Sequence, residues 1–113
     1  MSNSDILGRL DAALAKRRDG DPAKSYTASL YAGGVDAISA KITEEAAEVV
    51  EAAGADDDEH LIHEVADLWF HTMVLLQSRG LDASAVQAEL ARRFGVSGIE
   101  EKAGRGQSDS SAN

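Results

Sequence analysis

Apolar residues recur at helical spacing along most of the chain, and four clusters of Gly, Pro and Asp interrupt them. Ile6, Leu10 and Leu14 make one stripe over residues 5–17, with Ser4 placed as N-cap. Asp19-Gly20-Asp21-Pro22 breaks that pattern, since a proline pushes the residue before it out of helical geometry. Residues 24–34, KSYTASLYAGG, are too short for an independent element and end in a glycine pair. They predict a polar connection with room for one helical turn from Thr27 to Tyr31. A second helix is expected over Val35–Ala53, with Val35, Ile38, Ile42, Ala46, Val49, Val50 and Ala53 on one face and Gly54 as its stop. A third follows the Asp56–Asp58 cluster, which supplies caps and favourable charge at the helix N-terminus, and runs to Arg79 before Gly80. Its broad apolar face comprises Leu61, Ile62, Val65, Leu68, Trp69, Thr72, Met73 and Leu76, and Phe70 and Val74 carry apolar surface round the back. A fourth helix begins at Asp82, stapled by Leu81 and Val86, shows a narrow Val86, Leu90, Phe94 stripe and closes at Gly95.

The expected fold class is therefore all-α, a four-to-five-helix bundle in one domain over residues 1–103, with a disordered Gly- and Ser-rich tail over 104–113. A helix apolar on nearly every side belongs at the centre of a bundle or at a subunit interface, so the core is expected to be completed by a homodimer. Composition changes the picture in two ways. A net charge of −9 and a pI near 4.6 argue against nucleic acid or an anionic membrane as partner. The absence of cysteine excludes disulfides and thiolate zinc sites. With no apolar run of membrane length and no signal-like N-terminus, the expected location is cytoplasmic.

The polar residues that border the two central apolar faces carry the chemistry. On the second helix Lys41, Glu45 and Glu48 share one flank, while Glu44 and Glu51 turn to solvent. On the third, His60, Glu64, Asp67 and His71 form a matching flank. Carboxylates beside a core are costly unless paired or metal-bound, and oxygen-only donors at this density suit a hard cation such as Mg²⁺. Four carboxylates around one Mg²⁺ leave a net charge of about −2, a poor host for phosphate. That points to more than one metal in the working complex, or to a metal that arrives with the nucleotide. The plain alternative is a solvated acidic face. Lys41 can pair with Glu45 one turn on or contact a phosphate. His71 reads as a core-edge histidine with satisfied hydrogen bonds, His60 and His63 as surface residues, and Trp69 as core or interface.

The spacing EEAAE (Glu44 to Glu48), fifteen residues, then EVAD (Glu64 to Asp67) resembles the EExxE…ExxD signature of the all-α nucleoside triphosphate pyrophosphatases, the MazG-like superfamily. SYTASLYAGG (Ser25 to Gly34), KITEEAAEVVEAA (Lys41 to Ala53), DLWFHTMVLLQSRGL (Asp67 to Leu81) and SGIEEKAGR (Ser97 to Arg105) are similar, more narrowly, to the phosphoribosyl-ATP pyrophosphatases of histidine biosynthesis. The likeness spans roughly residues 24–105. It departs at Thr43, where Gly is frequent, and at Trp69-Phe70, where Leu-Tyr is frequent; neither is a carboxylate position.

The resemblance implies a hydrolase that splits phosphoribosyl-ATP between its α and β phosphates, giving phosphoribosyl-AMP and pyrophosphate. It assigns Mg²⁺ to Glu45, Glu48, Glu64 and Asp67, the same four that the helical wheel places at the core edge, and leaves Glu44 without a clear role. Lys41, Ser25, Tyr26 and Thr27 become the expected phosphate or ribose contacts, with Arg92, Arg93, Lys102 and Arg105 as weaker candidates from a second subunit. A carboxylate in or next to the metal's ligand set would take the proton of the attacking water. The cyclohydrolase of the next step is fused to such enzymes in some organisms; with no cysteine for its zinc, this chain is expected to carry the pyrophosphatase alone. Two other readings share the pattern: a housekeeping MazG-like hydrolase of non-standard or deoxynucleoside triphosphates, and a non-catalytic helical dimerisation module.

Overall fold

A computed structural model describes residues 6–94, and among them it contains four α-helices and no strand. These are α1 (Ile6–Lys16), α2 (Tyr26–Ala53), α3 (Asp58–Ser78) and α4 (Ala83–Phe94). Ser4, Gly95 and the tail lie outside the described residues. The chain divides into two compact units, one reaching Ala83 and the other starting at Ser84.

The first unit is built on the pairing of α2 with α3, to which α1 adds a smaller contact. A four-residue link from Gly54 to Asp57 folds α3 back on α2. Asp57 caps α3 by accepting from the His60 amide at 3.1 Å, satisfying one of the donors that every helix start leaves open. Gly80 ends α3 with φ 73°, the left-handed stop that glycine adopts without strain. Gly54 ends α2 as expected, though without a left-handed turn. Its φ of −80° is right-handed, so its amide simply turns back to the Ala52 and Glu51 carbonyls.

The segment expected as a connection is helical. Residues 26–33 form two turns in front of the expected second helix, and Gly34 separates the two with φ 78° and ψ −173°. That backbone region is open essentially to glycine alone. Gly33 is fixed for another reason, since a Cβ there would stand 2.7 Å from the Ala37 Cβ. Ser25 caps the early segment by accepting from the Ala28 amide at 3.1 Å. Local polarity hides this helix because its burial is tertiary: Ala28 and Leu30 are buried, and the Tyr31 hydroxyl donates to the Leu14 carbonyl at the end of α1 at 3.0 Å.

Leu14, Leu30, Ile38, Met73, Val74 and Ala83 form the core, with Ile38 and Val74 fully buried. Each of those two contributes roughly 2 kcal/mol of apolar burial. Asp11 ties this end together, accepting from the Ala83 amide at 3.0 Å and from Gln77 Nε2 at 3.4 Å. The inward face of α3 takes Met73 from the expected face and Val74 and Phe70 from its back, while Ile62 and Trp69 are exposed. On α2 the buried line is Ile38, Glu45 and Ala52, seven residues apart; Val35, Val50 and Ala53 from the expected stripe stand exposed. Within the second unit, Glu89 holds Arg92 at 2.7 Å and Arg93 at 2.8 Å, and these arginines drive the Glu89 carboxyl down to about 2.

Candidate active site

Two carboxylates occupy positions where an apolar residue would be the ordinary choice. Glu45 stands midway along the buried line of α2 and is 6% exposed; Glu64 on α3 is 8% exposed. The helical wheel puts them beside the core, and both are buried. Glu45 Oε2 and Glu64 Oε1 are buried without a hydrogen-bond partner. An unpartnered buried carboxylate oxygen forfeits its hydration with nothing in return.

Ligand atoms of Glu45, Glu48 and Glu64 lie within 4.8 Å of one another, and so do those of His63, Glu64 and Asp67. Glu64 belongs to both groups and joins them. The four expected carboxylates therefore meet across the α2–α3 contact as two overlapping triads, with Glu48 and Asp67 half-buried at the rim. Crowding has an electrostatic cost: burial, then the hydrogen bond and charge of Glu48, then Asp67, push the Glu45 carboxyl up to about 7 against the opposing pull of Lys41.

Lys41 closes one side of the cluster. Its ammonium lies 3.4 Å from Glu44 and 3.9 Å from Glu45, so the expected pairing with Glu45 is the looser of two. Burial works against the charged amine, but the Glu44 hydrogen bond and the charges of Tyr26, Glu44 and Glu45 hold its pKa above the usual value. Glu44 is exposed, as its place on the wheel requires, and its part is to hold Lys41.

Of the N-terminal contacts expected, Ser25 is engaged as a helix cap and Thr27 is half-buried. Tyr26 does reach the site. Its hydroxyl is 2.7 Å from His71 Nε2, and burial, Lys41 and the surrounding carboxylates all act on it, with a net upward push on its pKa. His71 is the satisfied histidine that the pattern predicts, with its Nδ1 2.8 Å from the Asp67 carbonyl. His63 is exposed, as a surface residue should be, yet its Nε2 lies 3.3 Å from Asp67 and it joins the second triad. Its position one turn before Asp67 is the sequence signal for that pairing. His60 pairs with Glu64 in the same way at 3.5 Å. Arg92 and Arg93 are joined to Glu89, and Lys102 and Arg105 lie outside the described residues.

Comparison with known proteins gives this geometry its context. A family profile described as Phosphoribosyl-ATP pyrophosphohydrolase matches residues 7–94. The chain belongs to that family. A phosphoribosyl-ATP pyrophosphatase from Azoarcus sp. (strain BH72) is 52% identical over 105 residues, 93% of this chain and 98% of the relative. One from Aromatoleum aromaticum is 51% identical over 105 residues, covering 93% and 97%. One from Hydrogenovibrio crunogenus is 49% identical over an alignment of 113 residues, covering 96% and 99%. The phosphoribosyl-ATP pyrophosphohydrolase match takes in both acidic motifs and the SYTASLY segment together. No helix among the described residues is long and apolar enough to cross a membrane.

Proposed function

We propose that this chain hydrolyses phosphoribosyl-ATP to phosphoribosyl-AMP and pyrophosphate, the second step of L-histidine biosynthesis, as a Mg²⁺-dependent cytoplasmic homodimer. The single observation that carries the reading is the pair of buried, unpartnered oxygens on Glu45 and Glu64, two residues that share one carboxylate cluster across two helices. Their donor set fits a hard cation, since it is dominated by carboxylate oxygens and two of these are buried without a hydrogen-bond partner. Glu45, Glu48, Glu64 and Asp67 would hold Mg²⁺. Bound there, the ion supplies charge neutralisation to polyphosphate oxygens and lowers the pKa of water. With about −2 left over from four carboxylates around one ion, a second cation accompanying the substrate would offset the rest.

The chain's own residues do the remainder. Lys41, held by Glu44 at the rim, presents ammonium hydrogens to a phosphate. Glu48 and Asp67 are half-buried and open to a reacting water, whose proton either carboxylate can accept. Trp69, Ile62 and Val50 on α2 and α3 are exposed among the described residues, which supports a second copy as their cover.

A substrate panel tests the reaction. Phosphoribosyl-ATP should be cleaved with Mg²⁺ in preference to any deoxynucleoside triphosphate, and the chain should restore histidine-free growth to a strain lacking this activity. Preference for deoxynucleoside triphosphates would overturn the proposal.

A further inference from the structure

Tyr26 is the residue at the cluster whose hydrogen is already committed. His71 Nδ1 lies 2.8 Å from the Asp67 main-chain oxygen, and a carbonyl can only accept. Nδ1 therefore carries the hydrogen, and in that tautomer Nε2 offers a lone pair. The Tyr26 hydroxyl, 2.7 Å away, donates its one hydrogen to that lone pair. His71 has little freedom to reverse the arrangement. It is 5% exposed, with the Phe70 ring edge-on at 5.2 Å and the Tyr26 ring edge-on at 5.8 Å. Tyr26 is 54% exposed, and its oxygen, having given its hydrogen to His71, has only lone pairs to offer.

That polarity selects a partner. A phosphate oxygen is also an acceptor, and lone pairs would face lone pairs. A hydroxyl of the substrate can donate. The charges that act on Tyr26 are those of Lys41, Glu45, Glu44 and Asp67, which puts the phenol beside the cluster where the polyphosphate belongs. The donor group nearest to a nucleotide's phosphates is its sugar. We infer that Tyr26 determines specificity by accepting a hydrogen bond from a ribose hydroxyl of the nucleotide, and that His71 is the positioning residue that commits the phenol to that role. The inference rests on the function proposed above and narrows it: Tyr26 is a sugar contact and not a phosphate contact.

The test measures kcat and KM for wild type, Tyr26→Phe and His71→Phe. The substrates are phosphoribosyl-ATP and a set of its analogues, each lacking one ribose hydroxyl. On the intact substrate Tyr26→Phe should lower kcat/KM by roughly 5- to 10-fold, the value of one neutral hydrogen bond. On one of the analogues that loss should disappear, because the hydroxyl and its acceptor form a single interaction. His71→Phe should shrink wild type's preference for the intact substrate over the same analogue, a ratio that general damage to the fold would leave unmoved. An equal loss on every analogue, or no loss at all, overturns the inference. Since Tyr26→Phe keeps the ring at a half-exposed position, that outcome can be read whether or not His71→Phe folds. Wild-type inactivity toward phosphoribosyl-ATP would instead bring down the proposed function, and this inference with it.

Discussion

Replacing Glu45 by Gln should make the metal-free protein more stable at pH 8 while abolishing its activity. The Glu45 carboxylate is 6% exposed, has one oxygen without a partner and shares its surroundings with Glu48 and Asp67. Burial first, and then those acids, raise its pKa from 4.5 to about 7. At about 1.4 kcal/mol for each pH unit, the ionised carboxylate costs the folded chain about 3 kcal/mol above neutral pH. A buried amide has its own desolvation to meet, so the expected net gain for Glu45→Gln is about 2 kcal/mol. In a domain of this size that is roughly 10 °C in melting temperature.

The sign of the pH dependence follows from the direction of the shift. A folded pKa above the unfolded one means that the folded chain holds the proton more tightly. The associated stability is complete below pH 4.5 and is lost as pH rises through about 7. The variant should be about 1 kcal/mol less stable than wild type near pH 4.5 and should overtake it progressively up to about pH 7. Melts in EDTA at fixed protein concentration, at pH 4.5, 6 and 8, measure this directly. Added Mg²⁺ should then stabilise wild type by mass action, about 2.7 kcal/mol at a hundredfold excess over Kd, and leave the variant where it was. A variant no more stable than wild type at pH 8, or a difference that ignores pH, would refute the claim that Glu45 is an electrostatic burden kept for its chemistry.

Glu48→Gln and Asp67→Asn should each abolish turnover and leave the far-ultraviolet circular dichroism unchanged, because both side chains are half-buried at the rim and hold no helix in place; retained turnover would move the chemistry elsewhere. Gly34→Ala should destabilise by about 1–3 kcal/mol, since φ 78° with ψ −173° is nearly closed to a residue with a Cβ although nothing lies within 4 Å of one; chemical denaturation reads the loss. Asp57→Ala should cost about 1 kcal/mol by uncapping α3, visible in the same titration. Trp69→Glu should shift sedimentation toward a single chain if the exposed α2–α3 face is covered by a second copy.

Helical periodicity and stop residues make the main elements legible: Ile38 and Ile42 with Gly54, the Asp56–Asp58 caps, and Gly80 all read locally and hold in three dimensions. The Tyr26–Gly33 helix is hidden because two turns of polar residues have no strong period of their own, and Leu14 and the helix pair supply their burial. Which face of α3 turns inward is also beyond the pattern. A helix apolar on most sides offers several candidate faces, and Val74 wins over Trp69 through the placement of α1 and the early α2 segment. The carboxylates are legible as residues lying out of place on a wheel. Their division into two triads joined by Glu64, and the entry of His63, depend on how α2 and α3 are set against each other.

That setting also explains why one helix pair can hold both a core and a charged site. Glu45 and Glu48 come from the later half of α2, and they meet Glu64 from the earlier half of α3, as helices joined by a four-residue link must. At the opposite end Ile38 and Val74 are fully buried, with Leu14, Leu30 and Ala83 gathered round them. The heptad Ile38, Glu45, Ala52 then passes from apolar core through the carboxylate cluster to a small buried residue at the turn. Apolar burial at the Ile38 end and a short loop at the Ala52 end fix the helices on both sides of Glu45, so mutual repulsion among the acids has no easy way to part them. On the function proposed above the site meets its cation preorganised, and the energy stored in crowding Glu45 against Glu48 and Asp67 is available to favour the ligand that relieves it.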